Sequence, residues 1–498
     1  MPNILSAFSN KRLLFFLSLL LIAYLVINTG IISDEFDIIS KLKGRSVKDI
    51  VAKDIFILEG APYFPETPVQ YLTHYLWYRF IGPDNQAVMN MLKLSYIILA
   101  FFLIAQFFRI YLDTYSAFLV SFLFIFFPSH DATVYCFLGQ YLTLSFALYL
   151  YSFYLAYRNR IPLAFVSALI ASFISYGSTP VALALFILFA FNKEFKKGAA
   201  IIIPNIIYAV YFIYVNLLAR IGIPRIIEKV SITTVINQFL LQVLTFIDSM
   251  FGPSMWLKIY YSFCQLSVPL LLIGLIATVI FYKINEDIKG RYDPRLITSF
   301  TVLTLLSFVM FAFTGRYPQL AFNLGNRVTI FGSLLLAYLI VLMPASKAVR
   351  TSVFAVLIFT ILGISAHWKS WNLEEQRVIA NIRGNPGLKN YSDNAVIYVS
   401  GNQYSKYGPV SHIELFSEDW APRAILSLAL NKDMLAKSLN KRHKYMDGYL
   451  VDTKYNKRAP VNGYINIYDS EKNTFFKLKV DDINSYIDSL PPDNRHWV

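Results

Sequence analysis

The stretch LLFFLSLLLIAYLVINTGIISDEFDII, residues 13–39, holds the decision about the fold of this chain. Residues 13–32 are almost wholly apolar and about as long as a bilayer's hydrocarbon core requires of a helix. Asp34, Glu35 and Asp37 follow at once. Carboxylates at the lip of a membrane helix are hard to solvate, so these three form either a polar helix end or a site. Lys11 and Arg12 precede the run as they would in a signal peptide. Acids rather than a small-residue cleavage site come after it, so the segment is read as a retained first span.

The rest of the chain repeats the pattern. It is 56% hydrophobic, 16% aromatic and 15% charged, with a mean hydropathy of +0.49. Soluble chains carry about 25% charge, so the expected class is a polytopic α-helical membrane protein. Apolar runs near 13–32, 94–112, 115–128, 132–156, 161–176, 178–191, 199–219, 262–282, 297–313, 328–344 and 351–366 predict about eleven helices. The formal charge of +14 resides between these runs and forms no long basic block, which argues against a nucleic-acid partner. The two cysteines, Cys136 and Cys264, imply no disulfide framework.

The positive-inside rule sets the orientation. With the N-terminus inside, internal loops carry Arg158, Arg160, Lys193, Lys196, Lys197, Lys283, Lys289, Arg291, Arg295, Lys347 and Arg350. The turns at 129–133 and 176–180 have no Lys or Arg and fall outside, with the loops 34–93 and 220–261, the turn 314–327 and the chain after His367. Residues 1–366 are thus expected to form a transmembrane domain and 367–498 a small extracytoplasmic α/β domain. In the first external loop, Ser46 to Asp49 resembles a capping box, and Thr67-Pro68 has the N-cap and N1 pattern of a second helix running to Gly82-Pro83. Two amphipathic helices lying in the interface fit this loop. Beyond Asn372, residues 395–400 read as a strand, 464–468 and 474–478 as a hairpin and 481–490 as a short helix. Usage of Phe, Tyr, Ile, Lys and Asn has a bacterial cast, so the membrane expected is a bacterial inner membrane.

Three constellations share the outer side. Asp34 and Asp37, three apart, lie on one face of any helix through them, while Glu35 points about 100° away. A carboxylate beside apolar surroundings has a raised pKa, which suits a general base, although acids flanking a span are ordinarily a solvated cap. His130 and Asp131 occupy a tight turn, where a plain polar turn after Pro128 is the bland alternative. Arg316, Tyr317 and Arg327 occupy a later turn. Arginine grips phosphate bidentately but also snorkels to headgroups. The internal loops contain no D-x-D motif, phosphate loop or Walker sequence, and acids are sparse within the spans. A cytoplasmic nucleotide-sugar enzyme, an ATP-driven pump and an ion-coupled transporter are therefore poorly supported.

Taken together, these features resemble the GT-C superfamily of polytopic glycosyltransferases. The likeness rests on Asp34 and Glu35 after the first helix, the long first external loop, and FPETPVQYLTHYLWYRFIGPDNQAVMNMLKLSYIILAFFL (64–103) leading into the second span. His130, Asp131 and the late arginines complete it, so the resemblance covers most of residues 1–366. It implies transfer of a sugar from a polyprenyl phosphate or diphosphate carrier to an acceptor glycan, lipid or protein, outside the membrane and among its lipids. Carried over, Asp34 is the base, Glu35 positions a substrate, and Asp131 with His130 forms a second acidic site. Arg316 or Arg327, with Tyr317 beside them, would bind the leaving phosphate. Some members hold a divalent cation, magnesium or manganese, and others none. Asp34, Asp37 and Asp131 are the acids available for one. The chain departs from the family in lacking an Asp-Asp pair or an Arg-Tyr-x-x-Pro signature. An O-antigen-type polymerase or ligase and a non-catalytic transporter of lipid-linked glycans are the alternatives.

Overall fold

The first apolar helix ends inside its apolar run, and that early end builds the site. The computed structural model describes residues 11–42, 66–78, 85–218, 231–285, 292–315, 317–391 and 395–492. Helix α1 (Lys11–Val26) is followed by a turn in which Asn28 has φ +64° and Gly30 φ +80°. Any side chain at 30 would also meet Glu375 Oε2 at 2.8 Å and Asn372 Oδ1 at 2.9 Å, so glycine is required twice over. A separate short helix, α2 (Ser33–Leu42), then begins. Glu35, its third residue, accepts the Ile32 N–H at 3.0 Å, the reach-back half of a capping box. Asp34 and Glu35 therefore occupy the first turn of an independent helix, where the helix dipole favours negative charge.

Helix α3 (Pro68–Tyr78) starts where Thr67-Pro68 predicts. The predicted helix behind Ser46 lies outside the described residues. There follow α4 (Gln86–Phe108), α5 (Thr114–Ile125), α6 (Phe137–Tyr157), α7 (Ile161–Ile174), α8 (Thr179–Phe191) and α9 (Phe195–Ile213). Next come α10 (Ile232–Phe251), α11 (Pro253–Cys264), α12 (Val268–Ile284), α13 (Pro294–Thr314), α14 (Ile330–Val341) and α15 (Lys347–Gly384). Every predicted apolar run contains a helix. Among the described residues, six segments are long and apolar enough to cross a membrane: 86–108, 195–216, 232–264, 294–314, 324–341 and 347–384.

Two further boundaries differ from the sequence reading. Residues 232–264, expected within an external loop, form α10 and α11, broken at Gly252-Pro253. Gln242, Thr245 and Lys258 interrupt the apolar pattern there, yet all three are buried against neighbouring helices. The expected domain boundary at 367 also falls inside one helix, because α15 continues for 38 residues without interruption. The change in composition near Asn372 marks a change of surroundings, not of backbone.

The C-terminal part carries β1 (Ile397–Ser400), β2 (Tyr404–Tyr407), β3 (Val410–Glu414), α16 (Trp420–Leu430), β4 (Ala436–Ser438), β5 (His443–Met446), β6 (Tyr449–Asp452), β7 (Lys457–Pro460), β8 (Tyr464–Asp469), β9 (Thr474–Lys479) and α17 (Ile483–Ser489). The main sheet has the order β4-β1-β8-β9, with β1 parallel to both β4 and β8. β8 and β9 form the predicted antiparallel hairpin, Tyr464 facing Lys479. Helix α16 is the crossover between β1 and β4. It turns Ala421, Ala424, Ile425 and Leu428 into a core shared with Phe36, Ile39 and Leu42 of α2. That spacing of three, four and seven is one helical face. The hairpin β2/β3 leaves the sheet and inserts among the long helices. Its Tyr407 and Ser262 hydroxyls lie 2.6 Å apart, and Ser405 Oγ is 2.9 Å from His367 Nε2.

Candidate active site

A cavity of about 410 Å³ opens where α2, α3, α6 and the turn before α14 meet the C-terminal part. Asp34 and Asp37 line one wall, as their shared face predicts, and Tyr317 and Arg327 line another. Gln70, Tyr141 and Tyr176 contribute from the helical part, and Trp420 and Tyr455 from the C-terminal part. Arg316 lies outside the described residues.

The two acids have different surroundings. Asp37 Oδ2 is paired with Lys41 Nζ at 2.6 Å, one turn along α2. Asp34 is half-buried, and its Oδ1 accepts the Trp420 indole N–H at 2.9 Å. Burial pushes the Asp34 carboxyl above its ordinary pKa, while the indole hydrogen bond and the charge of Arg327 pull it partly back. The Arg327 guanidinium makes no hydrogen bond or ion pair among the described residues. Its cation lies 6.0 Å from the centre of the Tyr317 ring and acts on Asp34 electrostatically. A guanidinium with free donors beside a cavity is equipped to take a phosphate.

Three expected site residues lie elsewhere. Glu35, expected to position a substrate, is fully buried and points away from the cavity. Its carboxylate accepts the N–H groups of Ile32 at 3.0 Å and Leu138 at 3.1 Å and the Cys136 thiol at 3.6 Å, pinning α2 to α6. Burial raises its pKa, with the Lys93 charge and these N–H groups opposing. Lys93 itself donates to the Gly30 carbonyl and, at 2.6 Å, to that of Tyr135.

Asp131, expected as the second acidic site, is a buried hub instead. Lys258 Nζ donates to its Oδ1 at 2.6 Å, and the Asn326 amide donates to the same oxygen. Trp368 Nε1 and His412 Nε2 donate to Oδ2 at 2.7 and 2.9 Å. The Asn323 N–H donates to His412 Nδ1 at 2.9 Å, so the ring is neutral with its proton on Nε2. Burial alone would push the Asp131 carboxyl up. Lys258 and His412 outweigh it and hold the group well below the usual carboxylate range. His130 is also buried. Its Nδ1 lies 2.7 Å from Thr133 Oγ1, its Nε2 has no hydrogen-bond partner among the described residues, and burial lowers its pKa to about 4. An acid with four donors has no oxygen left for substrate, so the structure does not carry the second acidic site to the cavity.

The same geometry bears on a divalent cation. Asp34 and Asp37 reach the cavity without Asp131, and Asp37 already holds a lysine, so these three acids do not assemble a cation site. Among the described residues, Asp419, His443 and Asp452 bring ligand atoms within 4.8 Å of one another. There the Asp452 oxygens are taken by Arg442 Nε at 3.0 Å and the Lys454 N–H at 2.9 Å, and the guanidinium opposes a second cation. Neither set fits a metal-dependent step.

The sequence reading gave no role to Trp420 or Tyr455, because nothing local distinguishes them. Tyr455 donates to Glu418 Oε2 at 3.1 Å, and Arg442 Nη1 holds the same carboxylate at 3.0 Å, so the roof of the cavity is braced from behind. Comparison with family models, curated proteins and solved structures returns no match.

Proposed function

We propose that the cavity transfers a glycosyl group from a polyprenyl phosphate or diphosphate donor to an acceptor hydroxyl, on the extracytoplasmic side of the membrane. One observation carries this reading: a carboxylate of raised pKa and a guanidinium with no hydrogen bond or ion pair among the described residues share a cavity with aromatic walls, beside long apolar helices. In the reaction, the acceptor oxygen attacks the anomeric carbon as the bond from that carbon to the phosphate oxygen breaks. The leaving phosphate keeps the electron pair, and Arg327 neutralises its charge. Asp34 takes the proton of the attacking hydroxyl. Trp420, Tyr455, Tyr141 and Tyr176 offer apolar ring faces on which a sugar can rest. Stabilisation of the departing charge contributes about 10²–10³-fold and the base about 10²–10⁴-fold.

The test uses the full chain in lipid nanodiscs with polyprenyl-phosphate and polyprenyl-diphosphate monosaccharides, reading release of the free carrier phosphate, which any acceptor produces. Asp34→Asn should lower release at least about 10²-fold, and Arg327→Gln should lower it about 10²–10³-fold while weakening donor binding. Wild-type release by Asp34→Asn would remove the base. Carrier movement across the bilayer without sugar release would point to a transporter.

A further inference from the structure

We propose that Trp420 is a positioning residue for Asp34, so that the C-terminal part completes the site rather than merely covering it. The inference rests on the reading of Asp34 as the base, but the bond itself can be tested without any substrate. The indole N–H meets Asp34 Oδ1 at 2.9 Å and is the one hydrogen bond to that carboxylate among the described residues. With Oδ1 taken, Oδ2 is left to receive a proton from the cavity.

Both ends of the bond are fixed. Asp34 stands in the first turn of α2, whose start is set by the Glu35 cap. Trp420 opens α16, and α16 buries its apolar face directly against α2. Two residues earlier, Glu418 is 4% exposed and holds Arg442, Lys454 and the Tyr455 hydroxyl, which anchors the approach to α16. The donor is therefore carried by a rigid element, as an oriented catalytic group requires.

The choice of donor has a chemical consequence. An indole N–H stabilises the carboxylate over the acid, yet it carries no charge and does not titrate. A lysine in its place would compete with Arg327 for the phosphate and would hold Asp34 too acidic to accept a proton. Tryptophan favours the basic form modestly and leaves Arg327 to the leaving group.

Phenylalanine at 420 keeps the ring and removes the donor. In the carrier-release assay, Trp420→Phe should move the acid limb of the pH profile to higher pH by about one unit. The sign follows from the loss of a group that favoured the ionised form. An unmoved acid limb would overturn the proposal and leave Trp420 as packing. The substrate-free arm follows tryptophan fluorescence of the full chain in detergent against pH. The emission that Trp420→Phe removes should titrate with one proton in the wild type and lose that titration in Asp34→Asn. If it titrates identically in Asp34→Asn, the coupling is absent. A wild-type chain that releases no carrier phosphate from any donor but shows the Asp34-dependent titration would sink the proposed reaction and keep the bond. Thermal unfolding of Trp420→Phe near the wild-type temperature excludes loss of fold as the cause.

Discussion

Replacing Lys258 with methionine tests the buried hub most directly. The Lys258 side chain is fully buried and that of Asp131 is 2% exposed, so the substitution leaves a carboxylate without its counter-charge and out of reach of water. Breaking a buried pair on one side costs about 3–5 kcal/mol. His412, Trp368 and Asn326 still donate to Asp131, which places the expected loss near the lower end, about 3 kcal/mol. That is about a 10²-fold rise in the population of opened molecules. The chain supplies its own reporter. Of its two cysteines, Cys136 is buried and Cys264 exposed. In a Cys264→Ser background, the rate at which a maleimide dye labels Cys136 follows opening, and Lys258→Met should raise that rate about 10²-fold. Adding Asp131→Asn removes the orphaned charge and should recover about 1–2 kcal/mol, the coupling expected of residues in contact. The exposed pair Arg423–Asp433 is the control, with side chains 56% and 75% exposed. Arg423→Gln there should change labelling less than about 5-fold. If Lys258→Met changes labelling no more than this control does, the hub does not hold the fold.

Two further outcomes follow. His130 and His412 are buried neutral with pKa values below the ordinary histidine value, through burial first and, for His412, despite the neighbouring Asp131. The unfolded chain binds more protons below about pH 6.5, so stability is full above that value and falls beneath it by about 1.4 kcal/mol per pH unit for each histidine. Thermal unfolding from pH 8 to 5 should show this slope, and His412→Gln should flatten it. Asp131, with its depressed pKa, adds its own loss only below about pH 3.9. The second outcome concerns Gly363, where a Cβ would stand 2.1 Å from the Ser262 carbonyl oxygen. Gly363→Ala must push α11 away from α15, and a loss of at least about 1–3 kcal/mol in the same labelling assay is expected. An unchanged rate would mean that the two helices are not in close contact.

The sequence disclosed what is periodic and local. The helices on the apolar runs, the hairpin at 464–479 and the common face of Asp34 and Asp37 all follow from spacing alone. Glu35 turning away from that face follows from the same angle, though its task as a helix cap depends on Ile32 and Leu138 and was not readable. Asp131 misled because a polar pair in a short turn looks exposed. Its partners Lys258, Trp368 and His412 stand 127, 237 and 281 positions away, and no local pattern reveals them. Residues 232–264 were missed for the mirror-image reason, since their polar side chains find buried partners that hydropathy does not register. Trp420 was illegible because its meaning lies in an oxygen atom 386 residues upstream.

The hairpin β2/β3 also bears on how the chain is made. The turn bearing Asp131 and the helix bearing Lys258 emerge first, and the imidazole that completes their cluster follows long after them. A nascent chain halted before Tyr404 carries a buried carboxylate short of one donor, together with an open seam beside Ser262 and His367. Packing of the helical bundle is thus completed by a β-hairpin drawn from the chain that follows α15. A truncation meant to isolate the helices would deliver a loosened bundle to quality-control proteases.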